Sequence, residues 1–315
     1  MTSKSTLRIR TLIIVFGLFT LPQICFTQSA DQKEIRKESH IYSDTLGMDI
    51  FYPVASSSEK RPVLIYVHGG GFGAGTRDHP SHLEFCEHFA KKGWVTATIS
   101  YHLTMKGKSF SCDQPKANKV ATFNTVAGNI HQSVAYLLQR QKQFNIDPHR
   151  IVLIGSSAGA EAALHAIYCE DTREGILPES FRYAGVISMA GALLDEKMIT
   201  AENVVPTQMF HGTCDQLVPY ASAPHHYCSP EDVGYLNLAG SFTLSERLKA
   251  LNTGSYLVTD CSGGHEWSGH PIKPQYIHHI EDFLEKDVLN GEGRQIRHQY
   301  NTGRYECTLG EDYCK

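Results

Sequence analysis

Short runs of apolar and β-branched residues alternate along this chain with longer stretches in which apolar residues recur every three or four positions. The short runs lie at 62–67, 94–100, 150–154, 185–189, 206–210 and 255–259, and the helical stretches near 81–92, 124–144, 159–168, 243–251 and 274–287. A continuous apolar run suits a strand that is buried on both faces of a sheet. Strands that alternate with helices favour βαβ units. We therefore predict an α/β fold, with a mostly parallel sheet, helices on both of its faces and a hairpin at 40–52.

The composition excludes several other classes of protein. The chain has 315 residues, of which 41% are hydrophobic and 20% charged, so it can bury a large core. Its formal net charge is −4 and it has no long basic run, which argues against nucleic acid as a partner. Its 26 glycines and 13 prolines are scattered without an internal repeat, so collagen-like and solenoid folds are excluded as well.

The first residues predict an export signal. Three cations precede the apolar run 12–19, which is short for a membrane span but suits the core of a signal peptide. We predict a signal peptide at 1–27, cleaved after Thr27 or, alternatively, after Ala30. An uncleaved membrane anchor and lipidation of Cys25 are the other interpretations. The mature protein is then secreted or periplasmic, with no stable insertion in a membrane.

The strongest catalytic motif follows the apolar run at 150–154. It reads GSSAG at 155–159 and opens an alanine-rich helical stretch. A GxSxG motif between a strand and a helix is typical of a nucleophile elbow, a sharp turn that raises its central serine above the sheet. We therefore predict that Ser157 is a nucleophile. The alternative is that Ser156 or Ser157 only caps the helix.

A glycine loop, HGGGF at 68–72, directly follows the first apolar run. Glycines leave backbone N–H groups uncovered by side chains, so such a loop can present donors to a negatively charged oxygen. We predict that the N–H groups of Gly70, Gly71 and Ala158 form an oxyanion hole. His68 lies too early in the chain to be the expected base, and we predict that it only fixes the loop.

Two later loops carry acidic and basic residues. HGTCDQLVP at 211–219 follows the run at 206–210, and GGHEW at 263–267 follows the run at 255–259. With HGGGF and GSSAG, these motifs resemble the α/β-hydrolase superfamily, specifically secreted carboxylesterases of the hormone-sensitive-lipase and acetyl-xylan or feruloyl esterase type. The resemblance implies the α/β-hydrolase fold and a catalytic triad in the chain order Ser157, Asp215 and His265.

Acyl-transfer chemistry implies a role for each member of that triad. Ser157 attacks the carbonyl carbon, His265 accepts its proton and passes it to the leaving alcohol, and Asp215 orients the imidazole. The alternatives in the same part of the chain are two acids and one base, Asp260, Glu266 and His270.

Other residues near the motifs predict the surroundings of the site. Phe72 and Trp267 are expected to line the substrate pocket, the alternative being ordinary packing beside the triad. His102 stands where similar enzymes often carry arginine, which puts the ion pair of that arginine in doubt. The loops at 104–123 and 219–242 are longer than minimal crossovers, and we predict that they border the entrance. The remaining segments are short and polar, so we expect no large cap domain.

The cysteines agree with export. Of the nine, eight remain without Cys25, an even number that suits disulfides in an oxidising compartment. We predict at least two bridges. We expect the Cys307–Cys314 bridge before any other. A bridge from Cys214 is expected next, and Cys261 is its candidate partner, because Cys214 and Cys261 each precede a residue of the triad.

Two other cysteines and the histidines of the chain do not indicate a further site. Cys86 and Cys169 lie in helical stretches, and buried free thiols are an alternative for both. The histidine pairs along the chain lack companions at the spacing of metal ligands. We therefore predict no metal and no cofactor.

Together these features predict a serine hydrolase that cleaves carboxylic esters. We expect a short acyl chain or a compact aromatic acyl group on a small-molecule or saccharide alcohol, because no lid helix is present to form a long apolar tunnel. The alternatives are an exported serine peptidase on small peptides, a noncatalytic binding protein on the same fold and a lipase on lipid surfaces. The catalytic domain is expected at 28–290 with 291–315 as a C-terminal extension packed on it, and the oligomeric state stays open.

Overall fold

The computed structural model describes residues 34–308 and 312–314. The predicted signal peptide at 1–27 lies outside these residues. No helix within the described residues is long and apolar enough to cross a membrane.

A mixed sheet of nine strands forms the centre of the described chain. In chain order the strands are β1 Ile35–Ser43, β2 Leu46–Pro53, β3 Arg61–Val67, β4 Val95–Ile99, β5 Ile146–Ser156, β6 Gly185–Met189, β7 Ala192–Leu193, β8 Thr207–Gly212, β9 Ser222–Pro224, β10 Asn237–Gly240, β11 Ser255–Asp260 and β12 Gln295–Tyr300. The large sheet has the order β1-β2-β4-β3-β5-β6-β8-β11-β12, and β7, β10 and β9 form a small second sheet. In the large sheet β2 pairs antiparallel with β1 and β4, and every pairing from β4 to β12 is parallel. The predicted mostly parallel sheet is confirmed.

Apolar side chains on both faces of the strands explain why this sheet is buried. In β3, Val63 and Ile65 pack into one core, and Leu64 and Tyr66 pack into the other. Successive side chains of a strand point to opposite faces, so a continuous apolar run produces two buried faces. Each face therefore needs a cover of helices.

The helices of the described chain cover both faces. They are α1 Pro80–Lys91, α2 Lys116–Gln139, α3 Ala158–Tyr168, α4 Ser241–Ala250 and α5 Ile277–Phe283, the last continued by a π-helical segment at Leu284–Leu289. α2, α3 and α4 bury their apolar residues in one core, and α1 and α5 bury theirs in the other. The predicted helices on both faces are thus present. α2 begins at Lys116 instead of near 124, because two of the buried residues in its first turns, Lys119 and Thr122, are polar and give no apolar periodicity.

The C-terminal stretch differs from the surface extension that the sequence predicts at 291–315. Residues 295–300 form β12, which pairs in parallel with β11 and adds an edge strand to the sheet. An edge strand leaves one side to solvent. Most residues of β12 are accordingly polar and exposed, so the sequence has no apolar run there.

Candidate active site

Ser157 lies at a sharp turn between a strand and a helix. β5 ends at Ser156, α3 begins at Ala158, and Ser157 between them has φ 51° and ψ −122°. This conformation is strained for a residue with a side chain. A Cβ atom at Gly159 would lie 2.3 Å from the carbonyl oxygen of Val67, so only glycine lets α3 start this close to β3. The GSSAG motif therefore folds as a nucleophile elbow.

The structure brings together Ser157, His265 and Asp215, which are far apart in the chain. Ser157 Oγ lies 2.7 Å from His265 Nε2, and His265 Nδ1 lies 2.7 Å from Asp215 Oδ2. Asp215 follows β8 and His265 follows β11. Because parallel strands end at the same edge of a sheet, the loops after β5, β8 and β11 meet there.

Hydrogen bonds hold the buried carboxylate of Asp215 in its ionised form. Its Oδ1 accepts from the backbone N–H groups of Leu217 at 2.8 Å and Val218 at 3.0 Å. Burial alone would raise the pKa of Asp215, but hydrogen bonds from His211 and His265 outweigh burial and hold the pKa well below its usual range. An ionised Asp215 accepts a hydrogen bond from the Nδ1–H group of His265. The Nε2 atom is then the acceptor that faces the serine.

The same hydrogen bond makes His265 a stronger base. Burial lowers the pKa of His265, but its hydrogen bond to Asp215 and the charge of that carboxylate outweigh burial, so the pKa is raised above its ordinary value. The side chain of His265 is 23% exposed, which leaves its edge open to the cavity.

His211 is a further residue of the candidate site, to which the sequence motifs assign no role. Its Nε2 atom lies 3.3 Å from Asp215 Oδ2 and 3.1 Å from the carbonyl oxygen of Val218, and its Nδ1 atom lies 2.8 Å from Ser241 Oγ. Both neighbours of Nε2 are acceptors, so Nε2 carries the proton and the Ser241 hydroxyl donates to Nδ1. His211 and His265 thus both contact Oδ2 of Asp215. Its place at the end of β8, at the start of the same motif as the acid, is the signal that points to it.

The alternative acids and base form other contacts. Asp260 accepts a hydrogen bond from Trp267 Nε1 at 2.9 Å. Glu266 accepts from the backbone N–H of Gly264 at 3.1 Å, and the ring of His270 stacks on a tyrosine ring. In the described chain, none of the three forms a hydrogen bond with the serine or the histidine of the site.

Phe72 and Trp267, the predicted pocket residues, lie in the packed interior. Both side chains are fully buried and neither lines the cavity beside the serine. Phe72 packs edge-on against Phe110 and Phe123, and Trp267 packs against Tyr276. This geometry fits the alternative interpretation, ordinary packing beside the triad.

The glycine loop is held against the elbow by its neighbours. Gly70 has φ +116°, and a Cβ atom there would lie 2.4 Å from a carbonyl oxygen of the same loop, so this position needs glycine. The Tyr101 hydroxyl donates to the carbonyl oxygen of His68 at 2.9 Å, and the two rings stack. His102 contacts Asn129 Oδ1 at 3.0 Å, so a hydrogen bond stands where similar enzymes often carry arginine.

The predicted oxyanion donors lie on the same cavity as the serine. Gly70, Gly71 and Ala158 all line the cavity with Ser157. Ala158 is the first residue of α3, so its N–H group has no carbonyl one turn earlier in the helix to accept its hydrogen bond. The structure thus places all three residues of the predicted oxyanion hole beside Ser157.

The cavity beside Ser157 has a volume of about 530 Å³. The elbow and the glycine loop form one side of it. The loops at 104–123 and 219–242 contribute Phe110, His225 and His226 to the remainder, and Leu217 and Val218 precede the second of these loops. A disulfide between Cys112 and Cys228 joins the two loops. The two long loops therefore border the site, as their lengths predict.

Three disulfides join described residues, and they correct the predicted pairing. The bonds are Cys112–Cys228, Cys214–Cys307 and Cys261–Cys314. The prediction that at least two bridges form, one of them from Cys214, is confirmed. The predicted Cys307–Cys314 bridge is wrong, and Cys214 does not pair with Cys261.

The path of the tail explains this pairing. β12 runs parallel to β11, so the chain after Tyr300 passes the loops that follow β11 and β8. The backbone N–H of Tyr305 donates to the carbonyl oxygen of Ser262 at 2.9 Å and holds the tail there. Each tail cysteine thus reaches a different loop.

The remaining thiols stay free. Cys86 is buried and Cys169 is partly exposed, and neither forms a disulfide. Asp232 lies close to the sulfurs of Cys112 and Cys228, but these two atoms are bonded to each other and offer no thiolate to a metal.

Comparisons with known proteins agree with this fold. Residues 48–193 match the family model BD-FAE. Gut esterase 1 of Caenorhabditis elegans is 26% identical over 136 residues, which are 43% of this chain and 23% of that protein. Fumonisin B1 esterase of Sphingopyxis macrogoltabida is 30% identical over 124 residues, which are 38% of this chain and 22% of that protein. The chain spans less than a quarter of the length of these relatives.

A solved structure covers more of the chain. The native structure of the esterase Est2 from Thermogutta terrifontis aligns with a TM-score of 0.60 and 18% identity, over 81% of this chain and 92% of that chain. The sheet, the helices and the elbow are those of the α/β-hydrolase fold. In sequence, the chain is similar to esterases and, over residues 48–193, to the BD-FAE family model. The resemblance found in the motifs is confirmed.

Proposed function

We propose that this α/β-hydrolase is a carboxylic ester hydrolase that forms an acyl-enzyme on Ser157. The observation that carries the proposal is the chain of contacts from Ser157 Oγ to His265 Nε2 and from His265 Nδ1 to Asp215 Oδ2, both 2.7 Å long. A serine hydroxyl is a weak nucleophile until an adjacent base activates it. The similar esterases support an ester as the substrate.

In acylation, Ser157 Oγ forms a bond with the carbonyl carbon of the ester while its proton passes to His265 Nε2. The carbonyl oxygen becomes negatively charged and accepts hydrogen bonds from the N–H groups of Gly70, Gly71 and Ala158. The bond to the alcohol oxygen then breaks, and this oxygen takes the proton from His265 as the alcohol leaves.

In deacylation, water attacks the acyl carbon and gives a proton to His265. The bond to Ser157 Oγ breaks, the serine oxygen takes that proton, and the carboxylic acid leaves. Asp215 stabilises the imidazolium in both halves without taking its proton. One water molecule and the residues of the chain balance the whole reaction.

We propose a short acyl group, from acetyl to about butyryl, or a compact aromatic acyl group, carried on a sugar or another polar alcohol. The cavity of about 530 Å³ has polar side chains in its wall, among them Glu161, His225 and His226. A buried CH₂ group adds about 0.8 kcal/mol of binding where an apolar wall receives it. A sugar or another polar alcohol can form hydrogen bonds with these polar side chains, whereas a long alkyl chain cannot.

We also propose that the protein acts in an oxidising compartment, secreted or periplasmic. The three disulfides support this location, because reducing compartments keep thiols free. Esters of extracellular polysaccharides are then within reach of the enzyme.

The test is a screen of the purified protein against p-nitrophenyl esters from acetyl to decanoyl, together with acetylated xylan and methyl ferulate. We expect kcat/KM to fall beyond about C4 to C6. A fluorophosphonate probe should add its mass to the peptide that contains Ser157.

Other results would favour other functions. A kcat/KM maximum at decanoyl would contradict the short acyl group, and equal activity on peptide amides would favour a serine peptidase. The absence of both turnover and labelling would favour a noncatalytic binding protein.

A further inference from the structure

A carboxylate and an imidazole lie together in the wall of the cavity beside Ser157. Glu161 is on α3, one helical turn after the serine, and His225 belongs to the loop after β9. Their side chains are only 2% and 1% exposed, and both line the cavity. Glu161 Oε1 and His225 Nε2 are 3.3 Å apart. The proposed ester hydrolysis uses neither residue.

The protein does not satisfy the hydrogen-bonding capacity of this pair. Within residues 34–308 and 312–314, Glu161 Oε1 and His225 Nδ1 are buried and have no hydrogen-bond partner, because the 3.3 Å contact between Oε1 and His225 Nε2 lacks the geometry of a hydrogen bond. Buried polar atoms in proteins almost always have a partner, because an unpaired one is costly. A group of the substrate that enters the cavity can supply the missing partner.

The charge of Glu161 is already balanced in part. Burial lowers the pKa of Lys119, and the negative charge of Glu161 acts against that effect. Lys119 is itself held in place, since its Nζ atom donates to the carbonyl oxygen of Gly234 at 2.9 Å. His265 lines the same cavity and becomes a cation during each turnover of the proposed reaction. A cationic ligand would face both positive charges, so what the pair lacks is a neutral hydrogen-bond donor.

The ring of Phe110 is an apolar neighbour of this pair. It packs edge-on against His225 with 5.4 Å between the ring centroids, and it lines the same cavity. An apolar cover keeps the local dielectric low, so a hydrogen bond to Glu161 inside the cavity is stronger than one in water.

We propose that Glu161 and His225 bind a hydroxyl group of the substrate and determine the specificity of this site. The inference rests on the proposed ester hydrolysis and adds a substrate class: esters that carry a hydroxyl in the acyl or the alcohol part. The hydroxyl donates a hydrogen bond to Glu161 Oε1, and His225 Nδ1 contacts the same hydroxyl or a neighbouring one. An ester without the hydroxyl leaves the buried acceptor unpaired.

The test uses pairs of esters that differ in their hydroxyl groups. p-Nitrophenyl glycolate against p-nitrophenyl acetate varies the acyl part, and a glucose monoacetate against cyclohexyl acetate varies the alcohol part. A site built for a hydroxyl discriminates strongly against an analogue that lacks it. We expect the wild type to prefer the hydroxylated member of one pair by about tenfold or more in kcat/KM.

Variants assign that preference to Glu161. Glu161→Leu should reduce the ratio of kcat/KM values to near one, and Glu161→Gln, which keeps an acceptor oxygen, should retain part of it. Glu84→Leu is the matched control. Glu84 is an exposed glutamate of α1 that does not line the cavity beside Ser157, so the wild-type ratio should persist.

Three outcomes would overturn the inference alone. One is that the wild type has equal kcat/KM values for the two members of each pair. This measurement does not depend on whether a variant folds. Another is a full preference that persists in Glu161→Leu. The third is a preference for ammonium-bearing esters that both Glu161 variants lose, which would assign recognition to charge. If the wild type turns over no ester at all, the proposed function fails and this inference fails with it.

Discussion

Cys214 and Cys307 are bonded to each other across 93 positions of the chain, and Cys214 directly precedes Asp215. A second tail cysteine, Cys314, is bonded to Cys261 in the loop that leads to the histidine of the proposed triad. The tail therefore holds the loops of both the acid and the base. A segment outside the apolar core thus takes part in the geometry of the site through covalent bonds.

Replacing Cys214 and Cys307 together by serine is expected to lower both stability and activity. A disulfide that closes a long loop restricts the unfolded chain, and its loss typically costs about 2–4 kcal/mol in the free energy of unfolding. The loop of Asp215 also loses its anchor, so kcat should fall. Urea unfolding and ester kinetics measure the two effects. Cys169→Ser, which removes a free thiol, is the control, and equal behaviour of the two variants would contradict the prediction.

Ser157→Ala is expected to leave a folded protein with esterase activity reduced by about 10³-fold or more. Covalent attack is lost, while the backbone donors of the predicted oxyanion hole remain. Ser156→Ala should keep most of the activity, since Ser156 lies in the same turn without a contact to His265. The reverse pattern in a p-nitrophenyl acetate assay would show that the elbow serine is misassigned.

Asp215→Asn is expected to lower kcat by about 10⁴-fold, because an amide no longer fixes the Nδ1–H tautomer of His265. Asp260→Asn is the matched change in the rival acid. It should lower the melting temperature, because Asp260 accepts from Trp267 and Thr302, and should largely preserve kcat. Severe loss of kcat in Asp260→Asn with a mild effect of Asp215→Asn would reassign the acid.

The pH profile of kcat/KM is expected to rise as His265 loses its proton, because only the neutral imidazole accepts the proton of Ser157. Asp215 raises the pKa of His265, so the midpoint should lie above about 6.5 in the free enzyme. His226 does not contribute to this rise of kcat/KM with pH, since burial lowers its pKa to about 3. The residual activity of Asp215→Asn should show a midpoint at lower pH. A midpoint unchanged by that substitution would mean that another group controls the limb.

His211→Leu is expected to lower kcat by about tenfold or more while KM changes little. A hydrogen bond to a charged group contributes about 1.5–3 kcal/mol, and its loss leaves Asp215 less firmly placed. His211 does not line the cavity, so substrate binding should stay close to that of the wild type. Ser241→Ala, which removes only the partner of His211 Nδ1, should have a smaller effect. A rise in KM at constant kcat would contradict a positioning role.

Local patterns in the sequence predict the centre of this fold. The runs at 62–67, 150–154 and 255–259 are strands because a continuous apolar segment is stable only when both of its faces are buried. The elbow follows in the same way, since its glycines and Ser157 are neighbours in the chain and the turn requires them at fixed spacing. The motifs that follow the parallel strands also contain the residues that lie together in the structure, because parallel strands end at one edge of the sheet.

The tertiary structure alone decided the rest. β12 carries no apolar run, because its place at the edge leaves it partly in solvent. Cys307 pairs with Cys214 instead of Cys314 because the path of β12 brings the tail past two loops. The pairing of Glu161 with His225 joins residues 64 positions apart that no local pattern links. Patterns in the sequence reflect interactions between neighbours in the chain, whereas contacts between distant segments depend on how the sheet and its loops pack.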